Sequence, residues 1–226
     1  MAIILQNPNG KLRGKLGPIY ARIVKGRNIF SILPAPVPRA EIPFSEKYSK
    51  WATTIKFVRG LIAHEALRSL NEKLRGTYYS GYHALVSRNA AKSGTTAPTE
   101  YNIVAVEGFN HVVSNMNVTE SAFTATVPAL NSSIYLAQEE TDVRFAGVIV
   151  YSDPVDPASA PFLVTPLDKS VASYNFAASY SLSISLDPVQ LKAGTEYQRK
   201  TVYLTIITRD TNGKIYQNSL TNSAVL

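Results

Sequence analysis

Tyr180-Ser181-Leu182-Ser183-Ile184-Ser185-Leu186 alternates between large apolar residues and serine without a break, and Thr201-Val202-Tyr203-Leu204-Thr205-Ile206-Ile207-Thr208-Arg209 is dense in β-branched side chains. Alternation with a period of two puts one face of a strand in a core and the other in water. β-Branched residues suit a packed, pleated surface. Both stretches therefore read as strands. Asp210-Thr211-Asn212-Gly213 supplies a turn from the second into Lys214-Ile215-Tyr216, which makes a hairpin. Asn102 to Val106, Phe123 to Val127, Val143 to Tyr151 and Phe162 to Thr165 extend the pattern upstream. Turn signals separate about seven candidate strands over residues 97–226, the spacing of an immunoglobulin-like antiparallel β-sandwich. The Cys–Trp–Cys signature of antibody domains is missing, since the chain has no cysteine.

Residues 44–96 change period. Ser45 is placed as an N-cap after Pro43, and Tyr48, Trp51, Ile55, Val58 and Ile62 recur at spacings of three and four, the apolar stripe of an amphipathic helix. Lys47, Lys50, Lys56 and Arg59 fall off that stripe and predict a basic exposed face. The stripe continues through Ala66, Leu67, Leu70 and Leu74 to a break near Gly76, and Tyr78, Tyr82, Leu85 and Val86 predict a second helix. Trp51 and the tyrosines lie on the stripe, so the expectation is that they are core residues.

Residues 1–43 read as an extended arm, because Gly10, Gly14, Gly17, Gly26 and a series of prolines interrupt any helix. Ile19 to Val24 and Asn28 to Leu33 flank Lys25-Gly26-Arg27, which predicts a β-hairpin with glycine at the turn. Pro34-Ala35-Pro36-Val37-Pro38 follows as an extended strap. The sequence therefore predicts an α+β chain of an N-terminal arm with a β-hairpin (1–43), a helical hairpin (44–96) and a C-terminal sandwich (97–226).

Charge divides the chain sharply. The net charge of +7 is made of 16 Lys+Arg against 4 Asp+Glu in residues 1–98 and 7 against 12 in residues 99–226. A basic part joined to an acidic part points to an acidic partner, either nucleic acid or protein, the acidic half of a second copy included. The lack of cysteine removes thiol nucleophiles, disulfides and cysteine metal sites together. His64, His83 and His111 have no carboxylate at metal-ligand spacing, and no serine stands in a recognisable catalytic context. The expectation is a protein without enzymatic activity, cofactor or metal. Met1 to Leu5 is too short for a secretory h-region, and no apolar run approaches the ~20 residues of a membrane helix, so no membrane partner is expected.

Gly14-Lys15-Leu16-Gly17-Pro18-Ile19, the Lys25-Gly26-Arg27 turn, the Leu33-Pro34 step, Phe44-Ser45-Glu46-Lys47-Tyr48 leading into Lys56-Phe57-Val58, and the closing Gly213-Lys214-Ile215-Tyr216-Gln217-Asn218-Ser219 occur in this order. That order resembles a family of proteins of about this length from Bacteroidota and associated genomes, a domain of unknown function. The chain departs from it at Pro18 and along the strap from Pro36 to Pro43. The resemblance implies a Gly-rich basic hairpin arm, a helical middle and a strand-rich end, and carries over no catalytic residue.

A Gly/Pro-rich arm stays ordered only when other groups hold it. The functional expectation is accordingly a structural component of a large assembly, a bacteriophage virion part such as a capsid-associated or head-tail protein, with a cytoplasmic location as the alternative. In this reading Lys11, Arg13, Lys15, Arg22, Lys25 and Arg27 meet acidic neighbours, and Tyr20, Ile23, Ile29 and Phe30 are buried anchors. The partners are other subunits, either in a homo-oligomer or as capsid or tail proteins. The alternative function is nucleic-acid binding by the same basic half, which requires those charges to gather on one surface.

Overall fold

A computed structural model describes residues 2–4, 14–16, 19–24, 27–32, 46–134 and 136–226. The chain divides into two compact units, Met1–Phe44 and Ser45–Leu226. Ser45, the strap at 34–43, and Lys11, Arg13, Lys25 and Gly26 lie outside the described residues.

In the smaller unit, β1 (Ala2–Ile4), β2 (Gly14–Leu16), β3 (Ile19–Val24) and β4 (Arg27–Ile32) form one antiparallel sheet in the order β1-β4-β3-β2. The sequence reading had an extended arm around two strands. Two further strands of three residues each line its edges, too short for any periodicity to reveal them.

The larger unit is built around two strands of 13 residues, β7 (Asp142–Pro154) and β10 (Tyr197–Arg209), paired antiparallel along nearly their whole length. β8 (Phe162–Val171) pairs with β7, while β11 (Ile215–Asn218) and β12 (Asn222–Val225) pair with β10. A second sheet has the order β5 (Ser114–Val118), β6 (Ala122–Val127), β9 (Tyr180–Ser185). Among the described residues four α-helices complete the unit: α1 (Glu46–Ala63), α2 (Glu65–Lys73), α3 (Gly81–Asn89) and α4 (Pro188–Glu196).

Alternation along the central strands feeds two cores. Phe145, Ile149 and Tyr151 of β7, with Val202, Leu204 and Ile206 of β10, pack with Phe123, Val127 and Leu182 of the three-stranded sheet. Ala146, Val148 and Val150, with Tyr203 and Ile207, pack with Phe57, Leu61, Leu67 and Leu85 of the helices. The central sheet is thus covered on both faces, which is why β7 and β10 read as near-continuous apolar runs. The helices and the sheet share a core, with Phe57 and Tyr203 in ring contact at 5.4 Å. Gly147 of β7 lies opposite Leu204 of β10. A Cβ there would run into the Tyr203 carbonyl oxygen and lie 3.0 Å from Leu204 Cα.

Several readings are corrected. The chain leaves the helical path at His64, which is extended, so α1 and α2 are separate helices. Tyr78 precedes α3. The buried face of α1 is Ser49, Thr53, Thr54, Phe57, Val58 and Leu61, and Tyr48 and Trp51 are exposed at 61% and 50%. The face is rotated because Thr54 Oγ1 donates to Lys50 O at 2.8 Å and bonds Ser93 Oγ at 2.9 Å, which buries a polar residue against the loop after α3. Asn102 to Val106 is not a strand. Three of its amides are taken by side chains: Ile103 N donates to Asn89 Oδ1 at 2.8 Å, and Val104 N and Ala105 N donate to Thr221 Oγ1 at 3.0 and 3.3 Å. Backbone donors satisfied in this way need no neighbouring strand.

Candidate functional site

The register of the smaller sheet sorts the anticipated contact residues. Tyr20 lies opposite Lys15 on one side and Ser31 on the other, while Arg22 pairs with Ile29 and Val24 with Arg27. Directly opposed residues share a face and alternate residues change face, so positions 15, 20, 22, 27 and 29 fall on one face. Ile23 and Phe30 fall on the other, with Ile19, Ala21 and Ile32. The four anticipated anchors are therefore divided: Tyr20 and Ile29 share a face with the basic positions Lys15, Arg22 and Arg27, while Ile23 and Phe30 belong to an apolar face. Ile23, Ile29 and Phe30 are half-buried and Tyr20 is exposed. Ile32, which pairs with Ile19 at the end of the sheet, is 80% exposed. Only strand register brings these residues together.

On the larger unit the expected basic face of α1 is partly spent. Lys50 Nζ is 2.6 Å from Glu46 Oε1, and this pairing holds the Glu46 carboxyl below its usual range. Lys56 Nζ donates to Phe162 O at 2.7 Å and stands 4.4 Å from the centre of the Phe162 ring, where partial burial lowers its pKa. Lys47 and Arg59 are exposed. A groove of about 710 Å³ at the start of α1 is lined by Tyr48 and Trp51, by Ala90 and Ala91 after α3, and by Glu46, Lys47 and Lys50. Reading those two aromatics as core concealed this feature. Trp and Tyr are favoured anchors at protein interfaces.

Of the histidines, His64 and His111 are buried and His83 is exposed. His64 Nε2 bonds the Leu167 carbonyl at 3.2 Å, tying the junction of α1 and α2 to β8, and burial lowers its pKa. His111 Nδ1 lies 2.8 Å from Ser133 Oγ, and burial lowers its pKa also. No carboxylate ion-pairs or hydrogen-bonds with His111 among the described residues, so the pair lacks the third group that orients a catalytic base. Among the described residues no cluster of three His, Asp or Glu side chains could hold a metal ion. No helix among them is long and apolar enough to cross a membrane.

No family model, no curated protein and no solved structure matches the chain.

Proposed function

We propose that the protein is a non-enzymatic structural component of a large assembly, a virion part of the capsid-associated or head-tail kind, whose N-terminal unit ties neighbouring subunits together. The observation that carries this reading is the exposure of Ile32 and Ile19, a cross-strand pair on the apolar face of a sheet whose strands are three to six residues long. Such a sheet gains stability from a covering layer, and a neighbouring subunit can supply one. The exposed Tyr48 and Trp51 on α1 support the same reading as anchors for a docked partner.

We read the facing sheets of the larger unit as an immunoglobulin-like sandwich. In chain order, β5, β6 and β9 stand where the A, B and E strands of that fold stand, and β7, β10 and β11 where C, F and G stand. The fourth strand, β8, pairs with β7. Domains of this kind serve widely as interaction modules, and here the helices cover the outer face of the central sheet.

A second reading has a specific observation in its favour. Register brings the positions of Lys15, Arg22 and Arg27 to one face with Tyr20, the gathering that nucleic-acid binding requires. One experiment separates the two. The mass of the full chain is measured by light scattering at low and moderate salt, beside a variant lacking residues 1–44 and the triple variant Lys15→Glu, Arg22→Glu, Arg27→Glu. Self-assembly of the full chain with a folded, monomeric deletion supports the structural reading. Folded monomers throughout, with DNA retarded by the full chain alone and released steeply by salt, overturn it in favour of the second.

A further inference from the structure

A second cavity, of about 460 Å³, opens on the larger unit where the β5–β6 turn meets α4. Its apolar walls are Val118, Leu186 and Leu191, and both central strands reach it through Tyr151 and Lys200. These two residues are direct cross-strand partners, so their side chains leave the same face of the sheet with Cβ atoms about 5 Å apart. They stand at the end of the sandwich core, where packing gives way to space.

Tyr151 is fully buried, yet its hydroxyl has no hydrogen-bond partner among the described residues. Buried hydroxyls almost always have one, and Tyr197 next to it donates normally to Ala160 O at 3.1 Å. The Lys200 ammonium likewise has no ion pair among the described residues, although Lys50 and Lys192 each hold a glutamate. Thr119, Gln190 and Thr195 are committed, Thr119 donating to Ala122 O. Gln190 donates to Thr165 and Pro166 and accepts from Asp187 N, and Thr195 donates to Lys192 O. What remains beside the apolar walls is two donors, Tyr151 and Lys200, and the Glu120 carboxylate at the exposed turn. Burial and the neighbouring Asp187 charge push the Tyr151 hydroxyl up to about 12, so it keeps its proton at neutral pH. Glu120 lines the cavity from the exposed turn, so an anionic head belongs on the Tyr151 and Lys200 side and away from that turn.

We propose that this cavity is a binding site for a small monocarboxylic acid with an apolar body, its carboxylate accepting from the Tyr151 hydroxyl and the Lys200 ammonium and its apolar part lying against Val118, Leu186 and Leu191. The volume is within the usual range for small-molecule sites, and the pattern of apolar walls with a few convergent polar groups is typical of them. The site does not depend on the assembly reading.

The test uses the full chain and four probes: hexanoate, benzoate and their uncharged amides. Titration is followed by calorimetry and by backbone amide chemical shifts. Saturable binding of at least one acid is expected, with shifts at residues 118–120 and 190–195 and its amide at least ~10-fold weaker, as a lost charged hydrogen bond implies. The choice between hexanoate and benzoate reports whether the body is aliphatic or aromatic. Tyr151→Phe removes one oxygen that has no partner, so it folds as the parent does and weakens the acid ~3- to 10-fold. Lys200→Met, at a half-exposed position, weakens it at least ~10-fold and carries the test should Tyr151→Phe misfold. Absence of saturable acid binding, equal affinity for acid and amide, or undiminished binding by Lys200→Met overturns the proposal.

Discussion

In the larger unit, β7 and β10 run for 13 residues each and are buried on both faces, whereas β3 and β4 of the smaller unit are six residues long and leave Ile19, Tyr20 and Ile32 exposed. The same kind of apolar, β-branched sequence has two fates. With 182 residues at its disposal, Ser45–Leu226 folds helices over one face of its sheet and three strands over the other. With 44 residues, Met1–Phe44 has a far poorer surface-to-volume ratio. Local strand signals are thus equally strong in both, and what separates them is the supply of covering layers. Stability belongs to one region and available surface to the other.

The contrast breaks most violently at the shared core. Phe57→Ala empties a fully buried ring site between α1 and Tyr203 and is expected to cost about 3–5 kcal/mol. Because helices and sheet share that core, helical ellipticity and tyrosine fluorescence are expected to shift together in urea. Two separate transitions would show that the helices fold by themselves. Next in size is Asn89→Ala. The Asn89 side chain donates to Leu85 O and Ile103 O and accepts from Asn102 Nδ2 and Ile103 N. Orphaning those partners is expected to cost roughly 2–3 kcal/mol, read as a lower denaturation midpoint.

Acid is a gentler probe of the same body. Burial depresses the pKa of His64 and His111 from the ordinary value of about 6.5. The unfolded chain then binds protons that the folded chain refuses. The stability these residues contribute is complete above that value and is lost as pH falls through their lower folded values. The melting temperature is expected to drop from pH 7.5 to pH 5, and His64→Gln, which keeps a donor for Leu167 O, is expected to flatten that drop. An unchanged slope would remove His64 from the account. The smallest effect is expected outside the body. Ile32→Ser should move the unfolding of the larger unit by less than ~0.5 kcal/mol while reducing self-assembly. A large stability loss there would erase the distinction between the units.

Much of this organisation was legible in the sequence. The alternation at Tyr180–Leu186, the run from Thr201 to Arg209 and its Asp210–Gly213 turn mark β9, β10 and β11, because strand periodicity and turn chemistry are local. α4 escaped notice although its signal is present. Asp187 accepts from Gln190 N, Gln190 Oε1 accepts from Asp187 N, and Pro188 opens the helix, a capping box at the head of a helix only nine residues long. The rotation of α1 was illegible, since its cause is a threonine bonded to Ser93, 39 residues away. The same holds for the irregular path at 102–106. The basic face of the smaller sheet could be listed by residue but not assembled, because faces follow from register. The pairing of Tyr151 with Lys200 had no sequence signal at all.

Residues 104 and 105 take their acceptor from Thr221, which is 117 and 116 residues further along the chain, and Ser223 Oγ reaches back to Glu100 O. During synthesis the helices leave the ribosome long before the segment that fastens the loop beyond them. That closure is therefore among the last available to the larger unit, and loops of that length slow folding far more than they weaken the folded state. Until it closes, one side of the central sheet is a surface that a chaperone or a neighbouring nascent chain can find first.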